Sequence, residues 1–101
     1  MSSAVYIRSQ KPISLEEWNL FCLEHNIKYN PRTVGGNVYY FGSAEIHFGK
    51  SAGDNPPASA KTIIVSTFYY GDLNNVANIA KPIIQKWKLD YSCDPELESV
   101  F

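Results

Sequence analysis

The eleven residues from Val38 to Phe48, VYYFGSAEIHF, constrain the fold of this chain more than any other stretch. Two β-rich runs are separated by Gly42-Ser43, the signature of a two-residue type II′ hairpin. That turn places Phe41 opposite Ala44, Tyr40 opposite Glu45 and Tyr39 opposite Ile46. Side chains alternate across a strand, so Tyr39, Phe41, Ala44, Ile46 and Phe48 share one face. Val38, Tyr40, Glu45 and His47 share the other. The first set is expected in the core. The second is expected to be partly wet, with the Tyr40 ring packed and its hydroxyl hydrated.

The flanking sequence supplies the partners such a hairpin needs. Ala4 to Arg8 is a short β-rich run, expected to end at Gln10-Lys11-Pro12. Ser14-Leu15-Glu16-Glu17 then fits a capping box, with Ile13 and Trp18 placed as a hydrophobic staple. The helix this opens is expected from Leu15 to His25, stopping near Asn26. Its apolar stripe is Leu15, Trp18, Phe21 and Cys22, while Leu20 and Leu23 fall off the stripe and are expected to be exposed or separately covered. Ile27-Lys28-Tyr29 reads as a short strand. Lys61 to Tyr70 is apolar on both faces, which suits a central strand. Asp72 is placed to cap a second helix whose stripe runs through Leu73, Val76, Ala77, Ala80, Ile83, Ile84 and Trp87. Pro82 lies inside it, so a kink near Asn78 to Pro82, or a fresh start at Lys81, is expected. Lys88 to Tyr91 reads as a last strand.

These elements predict one α+β domain over residues 1–101, a mostly antiparallel sheet with two helices on one face in a ferredoxin-like arrangement of uncertain strand order. Residues 49–60, GKSAGDNPPASA, read as a mobile loop, and residues 94–101 as an acidic tail. Nine Lys and Arg against ten Asp and Glu give a net charge of −1, so no general field favours nucleic acid or an anionic membrane. No run is long and apolar enough for an export signal or a membrane span, which points to the cytoplasm and to reduced thiols at Cys22 and Cys93.

The chemistry on offer is thin. Cys22, His25, His47 and Cys93 form a nominal zinc set, but only the first two have ligand spacing, and Cys22 already belongs to the core stripe; no metal and no cofactor are expected. Gly49-Lys50-Ser51 lacks the upstream glycine of a phosphate-binding loop. Glu45 and His47 alternate onto one strand face beside Tyr40, where a carboxylate and an imidazole could do acid–base work in a pocket under the 49–60 loop. The alternative is a solvated cross-strand pair.

Val5-Tyr6-Ile7-Arg8-Ser9 followed by Ser14 to Phe21 resembles the opening strand and helix of an RNA-recognition motif, which would imply a base stacked on Tyr6. Lys61 to Phe68 lacks the glycines and inner aromatics of that family's partner strand, so the shared part is the βα arrangement. Asn75 to Gln85 resembles the metal-binding helix of small Holliday-junction resolvases. Asn75, Ala77 and Gln85 stand at its three carboxylate positions, so the resemblance implies no magnesium-dependent nuclease.

The sequence therefore points to a small non-catalytic protein-binding domain, regulatory or inhibitory, whose partner is another protein or a second copy of itself. Tyr40, Glu45, His47, Leu20 and Leu23 are its expected contact residues. The alternative is a hydrolytic or ligand-binding enzyme using Glu45 and His47.

Overall fold

The structure is a computed structural model that describes residues 2–68 and 72–101; Tyr69, Tyr70 and Gly71, expected to finish the long strand, lie outside them. In chain order the elements are β1 (Ser2–Ser14), α1 (Leu15–His25), β2 (Lys28–Tyr29), β3 (Val38–Phe41), β4 (Ala44–Phe48), β5 (Ser59–Phe68), α2 (Leu73–Trp87) and β6 (Asp90–Cys93). A short 3-10 helix, Pro95–Val100, follows. The strands form one sheet in the order β2-β3-β4-β5-β1-β6, and every neighbouring pair is antiparallel. The fold is α+β. The ferredoxin-like order is not established, because β2 and β3 extend the sheet beyond β4.

The hairpin has the register its turn dictates, Phe41 to Ala44, Tyr40 to Glu45 and Tyr39 to Ile46. Gly42 takes φ 57° at the first turn position, where a type II′ turn needs a positive angle. Asn75, in the first turn of α2, donates from Nδ2 to the Phe41 carbonyl at 2.8 Å. The hairpin tip is thereby tied to α2.

α1 begins where Ser14 Oγ accepts from the Glu17 N–H at 3.1 Å, and it ends at Asn26 in the left-handed region, φ 58°. Only half of the capping box forms. The Glu17 carboxylate accepts from the Trp87 indole N–H of α2 at 3.3 Å and so links the two helices. Trp18, Phe21 and Cys22 are buried, and Leu20 and Leu23 are exposed. The Trp18 ring stacks on Phe48 of β4 at 5.1 Å and on Phe21 at 5.8 Å, and lies 6.4 Å from Trp87. Both helices therefore cover the same face of the sheet. Val5, Ile7, Tyr39, Ile46, Phe48, Ile63 and Val65 point into that layer.

Five expectations need correction. β1 does not end at Gln10 to Pro12 but runs on to Ser14: Arg8 pairs with Thr62 and Ile13 with Ala60, so Ser9 to Pro12 bulge out against Lys61 alone. Pro12 is tolerated because a bulge does not require its missing N–H. Of the two readings at Pro82 the fresh start at Lys81 is overturned: α2 is one helix from Leu73 to Trp87. The carbonyl freed by the proline belongs to Asn78, which is exposed and open to water, while Ile79 and Ile83 on either side are buried. The last strand is Asp90–Cys93 rather than Lys88 to Tyr91, because Lys88 caps α2 in the left-handed region. The acidic C-terminal segment folds as the 3-10 helix, burying Leu97 in the core, and the Asp94 carboxylate accepts from the Ala4 N–H at 2.9 Å.

The segment after β4 is shorter than expected, since Ser59 and Ala60 already belong to β5. It is pinned by the Gly49 N–H on Thr62 O, the Ala52 N–H on Gly35 O and the Leu15 N–H on Ala58 O. It also presses on the turn before β3, where a side chain at Gly36 would meet the Asn55 backbone at 2.5 Å.

Burial pushes the Cys22 thiol from 9.0 up to about 12. Stability held by the neutral thiol is complete below pH 9 and is lost as pH rises toward 12. Urea denaturation at pH 8 and pH 11 should show a smaller alkaline loss of midpoint in Cys22→Ala than in the parent. Asn75→Ala should cost about 1–2 kcal/mol in the same assay, since a half-buried carbonyl loses its donor.

Candidate functional site

The sheet face opposite the helices is built from alternate residues of all six strands. Strand pairing sets Val38, His47, Ile64, Tyr6 and Ser92 in one row across β3, β4, β5, β1 and β6. Lys28, Tyr40, Glu45, Ser66 and Ala4 form a second row, across β2 to β5 and β1. Neighbouring strands lie about 4.8 Å apart, so each row crosses roughly 19 Å.

Local sequence explains each placement. Tyr40 lies opposite Glu45 because the Gly42-Ser43 turn fixes that register, and its hydroxyl accepts from Asn30 Nδ2 at 3.4 Å. His47 Nε2 and Glu45 Oε1, two residues apart on β4, lie 3.5 Å from each other. Tyr6 is 38% exposed and Tyr40 37%, so each ring lies partly against the sheet with one side open. Ala4 and Val38 are buried and Ile64 half-buried, which gives the face an apolar floor. Phe68, at the end of β5, is exposed on the same side. Arg8 and Asp90, opposite each other at the β1–β6 edge, and Lys28 at the far edge add charges of both signs.

The structure brings Tyr40, Glu45 and His47 together and sets Leu20 and Leu23 apart from them. The two leucines are 63% and 81% exposed on the solvent side of α1, in the layer beyond the sheet. One flat partner does not reach both groups. Tyr6 and Ile64 are the members of the face that sequence spacing does not single out, because their place depends on β1 pairing with β5 across more than fifty residues.

The Glu45–His47 pair can exchange a proton, but little stands ready to use it. The four main clefts are lined by other residues. The segment after β4 is bonded to Thr62, Gly35 and Leu15. Among the described residues no three of His, Cys, Asp and Glu come together as metal ligands, and no helix is long and apolar enough to cross a membrane.

Set against protein-family models, curated proteins and solved structures, the chain matches none.

The His47 and Glu45 side chains are 38% and 19% exposed, so water still reaches both, and a contact of this kind contributes little to stability. His47→Ala and Glu45→Gln should each move the urea-derived stability by less than about 1 kcal/mol, leaving their effect on binding to be read cleanly.

Proposed function

We propose that this chain is a small, cytosolic, non-catalytic protein-binding domain whose open sheet face is the docking surface. One observation carries the reading: both helices lie on a single face of the sheet, and the other keeps Tyr6, Tyr40, Ile64 and His47 uncovered. Half-exposed tyrosines over an apolar floor suit an interface, since aromatic anchors contribute much of the affinity at such surfaces. Charges of both signs at the edges favour a partner of mixed charge over a polyanion. The partner is another protein or a second copy of this chain. Leu20 and Leu23 are not part of this surface.

The enzyme reading with Glu45 as acid and His47 as base calls for a concave site. The pair instead sits on a sheet face, and clefts of about 230–350 Å³ elsewhere are lined by other residues.

The test is light scattering on eluting protein, with a pull-down using the purified chain as bait, for the parent and for Tyr6→Glu/Tyr40→Glu. Self-docking gives the parent twice the 11.4 kDa chain mass and returns the variant to that mass. Docking to another protein leaves the parent monomeric but removes a captured band in the variant. A monomeric parent whose captured bands are unchanged by the double substitution overturns the reading.

A further inference from the structure

The two ends of the sheet are not protected alike. β2 closes one end with two residues, carries Lys28 and runs into Asn30-Pro31, devices that discourage pairing with another chain. β6 closes the other end with Asp90-Tyr91-Ser92-Cys93, which holds no bulge, proline or lysine.

The ladder decides where the backbone groups of β6 point. The Asp94 N–H donates to the Ala4 carbonyl at 3.0 Å, and groups alternate along an antiparallel strand, so Ser92 and Asp90 also point at β1. Tyr91 and Cys93 therefore direct their N–H and C=O out of the sheet, as Leu89 does its carbonyl, with no strand beyond them among the described residues. Such a row of donors and acceptors is matched by another extended backbone. Charge selects which one. Lys88, the cap of α2, stands at the Leu89 end of the edge. Asp94, held by the Ala4 N–H, and Glu98 stand at the Cys93 end, where burial and then these two carboxylates raise the Cys93 thiol above its ordinary range. An edge that is basic at one end and acidic at the other complements itself when turned end for end, and repels itself when laid parallel.

We propose that β6 pairs antiparallel with β6 of a second copy of this chain, about a two-fold axis at Tyr91. Outward groups must meet, and that leaves few registers. Tyr91 against the partner's Cys93 sets Asp90 against the partner's Asp94, two like charges. Cys93 against the partner's Cys93 brings Tyr91 to the partner's Pro95, which has no N–H to give. Tyr91 against the partner's Tyr91 exchanges bonds at the axis, sends each Cys93 N–H to the partner's Leu89 carbonyl, and sets Lys88 against the partner's Asp94. The Tyr91 ring, 47% exposed and 5.2 Å from Phe101, then meets its counterpart across the axis. Both open sheet faces lie on one side of the pair, so the pairing widens that surface and does not depend on what docks there. An edge this short buries far less than the roughly 1,200 Å² of a stable interface, so the dimer is weak and forms toward about 1 mM.

Sedimentation equilibrium up to about 1 mM, with amide exchange of the ¹⁵N-labelled chain followed by NMR, tests the pairing. The mass should rise from 11.4 kDa toward twice that value. Exchange at the Tyr91 and Cys93 N–H groups should slow as concentration rises, while the Ser92 N–H, already bonded to β1, stays as it was. Tyr91→Pro removes an N–H that β1 does not use, so it should keep the fold and abolish the rise in mass. Lys88→Glu should weaken association at least about threefold by setting like charges across the axis, and Lys88→Arg should not. A chain monomeric at every concentration, Tyr91 and Cys93 amides indifferent to concentration, or a dimer that persists in Tyr91→Pro would each overturn the proposal. A dimer lost in Tyr6→Glu/Tyr40→Glu but kept in Tyr91→Pro overturns it too, and assigns self-association to the open face.

Discussion

The Trp18 indole is the joint on which this structure depends. It belongs to α1, stacks on Phe48 of the sheet, meets Tyr39 edge-on and lies close to Trp87 of α2. Aromatic pairs of this kind add about 0.5–1.5 kcal/mol each beyond the area they bury. Trp18 thus meets elements of both helices and two strands in one layer, with Phe21, 5.2 Å from Trp87, beside it. Ser14, which starts the helix, and Glu17, which reaches Trp87, set its position along α1.

One-sidedness follows from that joint. With both helices gathered over the Trp18 face, no α-helix among the described residues covers the other side of the six-stranded sheet. Antiparallel sheets tolerate one wet face, usually by making it polar. Here the two central strands, β4 and β5, hold Glu45, His47, Ile64 and Ser66, and Tyr40 on β3 and Tyr6 on β1 flank them, so apolar and aromatic side chains share the face with polar ones. A cleft beside Tyr39 has the same origin on the opposite side: α1 stops at Asn26, and its last turn does not fill the space above β2 and β3.

Local signals in the sequence were the readable ones. The hairpin register, both ends of α1 and the Asp72 cap each rest on a few adjacent residues whose stereochemistry leaves little choice. Features that depend on distant partners were not readable. The extension of β1 through Pro12 depends on Ala60, and the folding of Pro95–Val100 depends on a core that accepts Leu97. Half of the candidate face was legible, because Tyr40, Glu45 and His47 lie within one hairpin. Tyr6 and Ile64 were not, since only the pairing of β1 with β5 brings them beside it.

The interior position of β1 has a kinetic consequence. Val5 pairs with Val65 on one side and Cys93 on the other, so the first strand of the chain finds its neighbours only near its end. Closing such long loops is entropically slow. Until that late docking, the edges of β5 and β6 stay unsatisfied, and an unfinished molecule offers another chain a place to enter. Assembly speed, more than final strength, is where this topology is vulnerable.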